Sequence, residues 1–98
     1  MKAPSPAARQ AAEMLSIQAL SFIAEQPEQL SRFLELSGID AARIRTAAHE
    51  PGFLAGVLEH MLSDESLLIA FADSVGINPA EIARARAALG GRGRHGAP

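Results

Sequence analysis

The side chains able to do chemistry are few and scattered. Two pairs, His49-Glu50 and Glu59-His60, offer the imidazole and carboxylate donors that bind zinc. Their spacing argues against a metal. Neither His lies one helical turn from the other, and Pro51 breaks the chain between the two groups. Near the end of a helix, a His is already explained by the helix dipole, which favours a cation there. Asp64-Glu65 offers a carboxylate pair for acid–base work. Adjacent helical residues point about 100° apart, so these two do not converge on one substrate, and both suit the positive end of a helix. With no Cys, thiol catalysis, disulfides and thiolate metal sites are excluded together. No glycine-rich phosphate loop is present, and no Ser stands at a telling spacing from a His. The expectation is a protein that is not an enzyme, with no catalytic residue, metal, cofactor or small-molecule substrate.

One motif points elsewhere. The run from Ala72 to Ile82, ADSVGINPAEI, resembles the helix-turn-helix of DNA-binding repressors: a small residue, Gly76 four later, Ile77 after it, and Ile82 five beyond that. Under this alternative Arg84, Arg86, Arg92 and Arg94 would contact phosphates. The chemistry fits less well than the spacing. The leading turn of the second helix presents Glu81 and no Asn, Gln, Ser or Lys to read base edges. Net charge is −2, so no global field attracts nucleic acid or an anionic membrane. Arg92, Arg94 and His95 read as a solubilising end.

The elements that position these residues are helical. Twenty of the 98 residues are Ala, and only four are aromatic. Ala is the best helix former, and strand-favouring residues are scarce apart from Ile. Hydrophobic content of 48 % with 20 % charged residues is the balance of a globular chain. The predicted fold is all-α, a compact bundle of five to six short helices, with 7–89 as a single domain and 1–6 and 90–98 as flexible tails. Few large side chains limit the core, so association is a natural way to bury more surface. There is no signal-like apolar run at the start, and the longest apolar run, Leu67 to Ala72, is far short of a membrane span. A cytoplasmic protein is expected.

The organising stretch is Pro51 to Ile77. Phe53, Val57 and Met61, with Leu54, Leu58 and Leu62 one position on, form a wide apolar stripe at helical period. Ser63 is the predicted N-cap of the next helix, Leu67 to Val75, which is apolar almost all round. The pair reads as a helical hairpin against which everything else packs. Upstream, a helix should begin near Ser5 and Pro6 and run to about Ala24, with Leu15, Ala19, Phe22 and Ile23 inward and Met14, Ile17, Leu20 and Ala24 widening the stripe. Its near half could project. Arg9 with Glu13, and Glu28 with Arg32, have the spacing of helical ion pairs. Pro27 opens a second helix with Leu30, Phe33, Leu34 and Leu36 as its apolar side, and Gly38 ends it. Asp40 caps a short third helix, Ala41 to His49, with Ile44 and Ala48 inward. Gly76 ends the fifth helix, and Asn78-Pro79 starts a sixth with Ile82 and Leu89 inward, stopped by Gly90-Gly91.

A repeat of 38 residues lies within this pattern. Leu30, Phe33, Gly38, Ile39, Ala42, Ile44 and Ala47 fall on Leu68, Phe71, Gly76, Ile77, Ala80, Ile82 and Ala85, seven identities in nineteen pairs. Leu20 against Leu58 continues it upstream. Each copy has a helix, a Gly that turns the chain, an Ile that plugs the corner, and a capping Asp or Asn. A corner used twice reads as a packing device, and two copies should close on each other.

These segments together carry a family likeness. ALSFIAEQPEQLSRFLELSGID, PGFLAGVLEHMLSDESLLIAFADSVGINP and the closing ALGG make the chain, from about Ala19 to Leu89, resemble a domain-of-unknown-function family of small all-helical alphaproteobacterial proteins. The resemblance implies a bacterial, intracellular source and packed helices, and brings no activity, cofactor or site residue. Apolar faces in excess of what six short helices bury, with Ile69 and Leu67 on opposite sides of the fifth helix and Leu36 beside Leu34 and Phe33, imply a groove or dimer face. The expected role is a small non-catalytic protein–protein interaction or regulatory module, with an unidentified protein or a second copy as partner. A helix-turn-helix DNA binder is the alternative.

Overall fold

The computed structural model describes residues 5–89, and within that span not the side chains of Ala41 and Pro51. The described residues form six α-helices and one 3₁₀ turn: α1 (Pro6–Ala24), α2 (Pro27–Ser37), the turn Ala41–Arg43, α3 (Ile44–Ala47), α4 (Pro51–Leu62), α5 (Glu65–Val75) and α6 (Pro79–Ala88). Among the described residues there is no strand. The radius of gyration is 12.8 Å, close to the value of about 13 Å expected for one domain of this length. No helix of the described residues is long and apolar enough to cross a membrane.

Prolines and caps set the helix starts. Ser5 accepts the Ala8 N–H at 3.1 Å, with Pro6 in the first turn, so Ser5 and Pro6 belong to α1 and not to a tail. Residues 1–4 and 90–98, including the predicted stop at Gly90-Gly91, lie outside the described residues. Asn78 accepts the Ala80 N–H at 2.9 Å to start α6. Gly38 and Gly76 end α2 and α5 at φ 73°, in the left-handed region that a side chain resists.

The centre of the molecule is α1, α4 and α6, packed pairwise on one another. This corrects the expectation that α4 and α5 form a central hairpin. α4 is central as predicted: Phe53, Leu54, Val57, Leu58 and Met61 are all buried. α5 lies on the outside. It buries Leu67, Phe71 and Ala72 and leaves Ile69 and Ala70 exposed. An apolar sequence all round had implied burial all round, but a short helix at the rim of a small domain is covered on one side only.

α1 also departs from its reading. Its near half is exposed from Pro6 to Ala11, but Ala12 and Ser16 are buried, and the Ser16 hydroxyl donates to the Ala12 carbonyl at 2.7 Å. Ala side chains on α1 and α6 let the two helices approach closely there, which a search for large apolar residues overlooks. Leu20 is buried as expected, whereas Met14, Ile17 and Ala24 face outward. The predicted third helix is reduced to the 3₁₀ turn and the single turn α3. α3 has no side-chain cap; Asp40 acts through its main-chain carbonyl, which accepts the Arg43 N–H at 2.9 Å. The N-cap of α5 is Asp64, not Ser63. Ser63 keeps helical dihedrals (φ −82°, ψ −8°) as the C-cap of α4, while Asp64 is extended (φ −128°, ψ 102°) and accepts the Leu67 N–H at 3.1 Å. Neither Arg9–Glu13 nor Glu28–Arg32 is among the ion pairs of the described residues.

Candidate functional site

Both Gly–Ile corners place a Phe five residues before the Gly in the core. Phe33 packs edge-on to Phe53 with centroids 5.6 Å apart, and Phe71 meets Phe22 at 5.4 Å. The two surroundings differ. Phe71 borders a depression of about 360 Å³ between α1 and α5, whereas Phe33 borders an open groove of about 580 Å³ between α2 and α4. Phe33, Leu36, Ile39 and Phe53 supply its apolar wall, and Glu50 and Glu59 its acidic rim. That size and lining are those of a binding pocket.

Two features of the groove come from α4. Gly52, Gly56 and His60 follow at i, i+4 and i+8, so they share one face of the helix. Beyond the adjoining backbone of its own helix, a methyl group built on either Gly meets nothing within 4 Å among the described residues. His60 had been assigned to a helix end or the surface by its position alone. It does sit in the last turn of α4, yet it is only 8 % exposed, with its ring edge-on to Phe33 at 5.4 Å. Burial holds its pKa below the ordinary imidazole value, with Asp64 opposing and Arg32 adding to the shift. The neutral ring therefore predominates at pH 7. Its Nε2 is buried without a hydrogen-bond partner, as is Gln29 Oε1 on α2. Asp64 stands nearby. The Leu67 N–H at the head of α5 holds its carboxyl below the usual carboxylate range; partial burial works against this, and Gln29 and Arg32 assist.

The other candidate residues do not converge. His49 is exposed and does not line the groove, although Glu50, Glu59 and His60 do. Among the described residues no three of His, Cys, Asp and Glu gather in a way that could hold a metal ion. Asp64 and Glu65 separate into an N-cap and a first-turn residue.

Of the arginines named for nucleic acid, Arg84 is exposed and pairs with Glu81 on its own helix at 2.8 Å. Arg86 reaches across to α4: its Nε and Nη2 both donate to Glu59 Oε2, the former at 2.8 Å, and its side chain is largely covered. Arg92 and Arg94 lie outside the described residues. α6 itself is held by α1, α4 and α5 and buries Ile82, Ala85 and Leu89.

The features missed in the sequence were a buried imidazole and a bare helix face. The signal was present as Gly52-x-x-x-Gly56-x-x-x-His60, a spacing that matters only once α2 is seen to leave that face open.

Fold and groove define a small all-helical domain with an open apolar cleft between α2 and α4. The chain belongs to the family described as Protein of unknown function (DUF3572), whose model matches residues 9–92. No curated protein and no solved structure matches it.

Proposed function

We propose that the chain is a non-catalytic protein–protein interaction module whose contact surface is the groove between α2 and α4. One observation carries this reading: an apolar cleft whose lip residue, Leu36, is 73 % exposed although three of its neighbours on α2, Leu30, Phe33 and Leu34, turn inward. The polar groups around it favour recognition over chemistry. The imidazole of His60 is neutral at pH 7, Glu59 is engaged by Arg86, and the Ser63 hydroxyl donates to the His60 carbonyl at 2.7 Å.

The test is capture of partners from bacterial lysate at moderate salt, with nuclease, by the wild type and by Gly56→Leu, which fills the groove. A protein retained by the wild type and lost by the variant supports the reading. Equal retention by both excludes the groove as the contact surface.

The helix-turn-helix alternative rests on the spacing around Gly76, and Arg86 tied to Glu59 weighs against it. It requires salt-dependent binding of duplex DNA that drops when Arg84 becomes Ala; no binding at low salt ends it.

A further inference from the structure

We propose that the groove between α2 and α4 is self-complementary, and that its occupant is Leu36 of a second copy of this chain, seated over Gly56 while the second copy's groove takes Leu36 of the first. This rests on the reading of the groove as a protein-binding surface and commits it to one partner.

Leu36 supplies the knob. It lines the groove, yet at 73 % it is the most exposed large apolar side chain among the described residues, ahead of Met14, Ile17 and Ile69. The corner itself does not require an apolar residue there, because the repeat puts Ser74 at the equivalent position. Gly52 and Gly56 supply the hole. Glycine weakens a helix interior relative to alanine. Here neither Gly has a positive φ, and beyond its own helix backbone an added methyl would touch nothing among the described residues. The protomer therefore gives no reason for them, whereas a side chain or helix arriving from outside does, since missing Cβ atoms let a neighbour come close.

His60 is the independent sign of an occupant. It continues the glycine face into the groove, is more than nine-tenths buried, and its Nε2 lacks a partner. A buried polar atom left unpaired is costly. Ser37, beside Leu36 on the incoming copy, carries a hydroxyl that can satisfy it by turning from the Leu34 carbonyl, to which it donates at 3.3 Å in the single chain.

Knob and hole on one face are what a two-fold axis needs, because each copy then gives and receives the same contact. The charge is compatible. With Glu59 neutralised by Arg86, Glu50 is the one groove carboxylate without an ion pair among the described residues. A domain rich in Ala and poor in large side chains also gains most from shared burial.

Sedimentation equilibrium over a wide concentration range tests this directly. The wild type should show a monomer–dimer equilibrium. Leu36→Glu and Gly56→Leu should each raise the dimer Kd about 30-fold or more, as loss of a central anchor does. Gly56→Leu should raise Tm at the same time, which separates lost association from lost folding. As the chain has no Cys, mixed Leu36→Cys and Gly56→Cys proteins should cross-link to each other on oxidation, and faster than either alone. A wild-type dimer that neither substitution weakens overturns the proposal, as does a protein monomeric at every concentration. If that monomer captures a lysate protein and Gly56→Leu abolishes the capture, the second copy is excluded and the interaction reading stands. If capture is absent or indifferent to Gly56→Leu, both fall.

Discussion

The corners at Gly38-Ile39 and Gly76-Ile77 begin alike and end differently. In each, a buried Phe precedes the Gly, the Gly sits at φ 73°, and the following Ile is half-buried. Beyond that point the second corner leads into the ten-residue α6, and the first into a 3₁₀ turn and a four-residue helix. Asn78 offers a side-chain cap followed by Pro79, and α6 then packs on α1 and α4 with Ile82 fully buried. Asp40 offers only its carbonyl, and Ile44 stays half-buried. A shared corner motif thus fixes how a helix ends. Whether a helix follows depends on the cap and on a surface to pack against.

The largest effect that would sharpen this contrast lies at the two Phe residues. Truncating a buried Phe to Ala costs about 3–5 kcal/mol. Phe71→Ala should cost more within that range than Phe33→Ala, because Phe33 borders the larger opening, about 580 Å³ against 360 Å³, and its site relaxes or admits water more readily. Urea unfolding of both variants measures the gap, and equal losses would mean that the groove does not soften its own wall.

The glycines should break the contrast. Gly38→Ala and Gly76→Ala meet no steric neighbour, so each should cost only the left-handed backbone penalty, about 1–2 kcal/mol. Equal values by the same assay would establish the corners as one device. A larger value at Gly76 would show that α6 enforces its corner more tightly.

At the caps the difference should return. Asn78→Ala is expected to cost about 1 kcal/mol, and Asp40→Ala, which keeps the carbonyl, close to nothing. Comparable losses would mean that the Asp40 side chain does more than the fold indicates.

The smallest effect is set by pH. Phe33 touches a titratable ring, whereas Phe71 touches Phe22. The folded imidazole of His60 binds its proton less well than the unfolded one, so the unfolded chain takes up more protons below the ordinary value of 6.5. Stability should therefore fall as pH drops through that value, with the loss ending once the depressed folded-state pKa is passed. Thermal melts from pH 7.5 to 5 should show a decline that His60→Phe flattens.

Much of the fold is legible in the sequence, because its signals are local. Ser5-Pro6, Pro27, Pro51 and Asn78-Pro79 mark starts, and Gly38 and Gly76 mark stops, by backbone chemistry that needs no partner. That an apolar face would stay open was legible, but its place between α2 and α4 was not, because that depends on which neighbour is missing. Leu36 and Leu34 are the same residue type two positions apart, and only the placement of α4 decides which is covered. The small-residue contact of α1 with α6 escaped for a related reason: Ala12 and Ala85 give no hydrophobic signal, yet both are buried.

That contact has a consequence for how the chain comes into being. Ala8, Ala11, Ala12 and Leu15 of α1 border a shallow depression shared with Ala85 and Ala88 of α6. α1, made before the other helices of this domain, thus finds part of its cover only when α6 has been made. Closure across that separation is slow relative to local helix formation. Until α6 arrives, the α1 surface around Ala12 and Ser16 stays open to solvent, to chaperones and to neighbouring nascent chains.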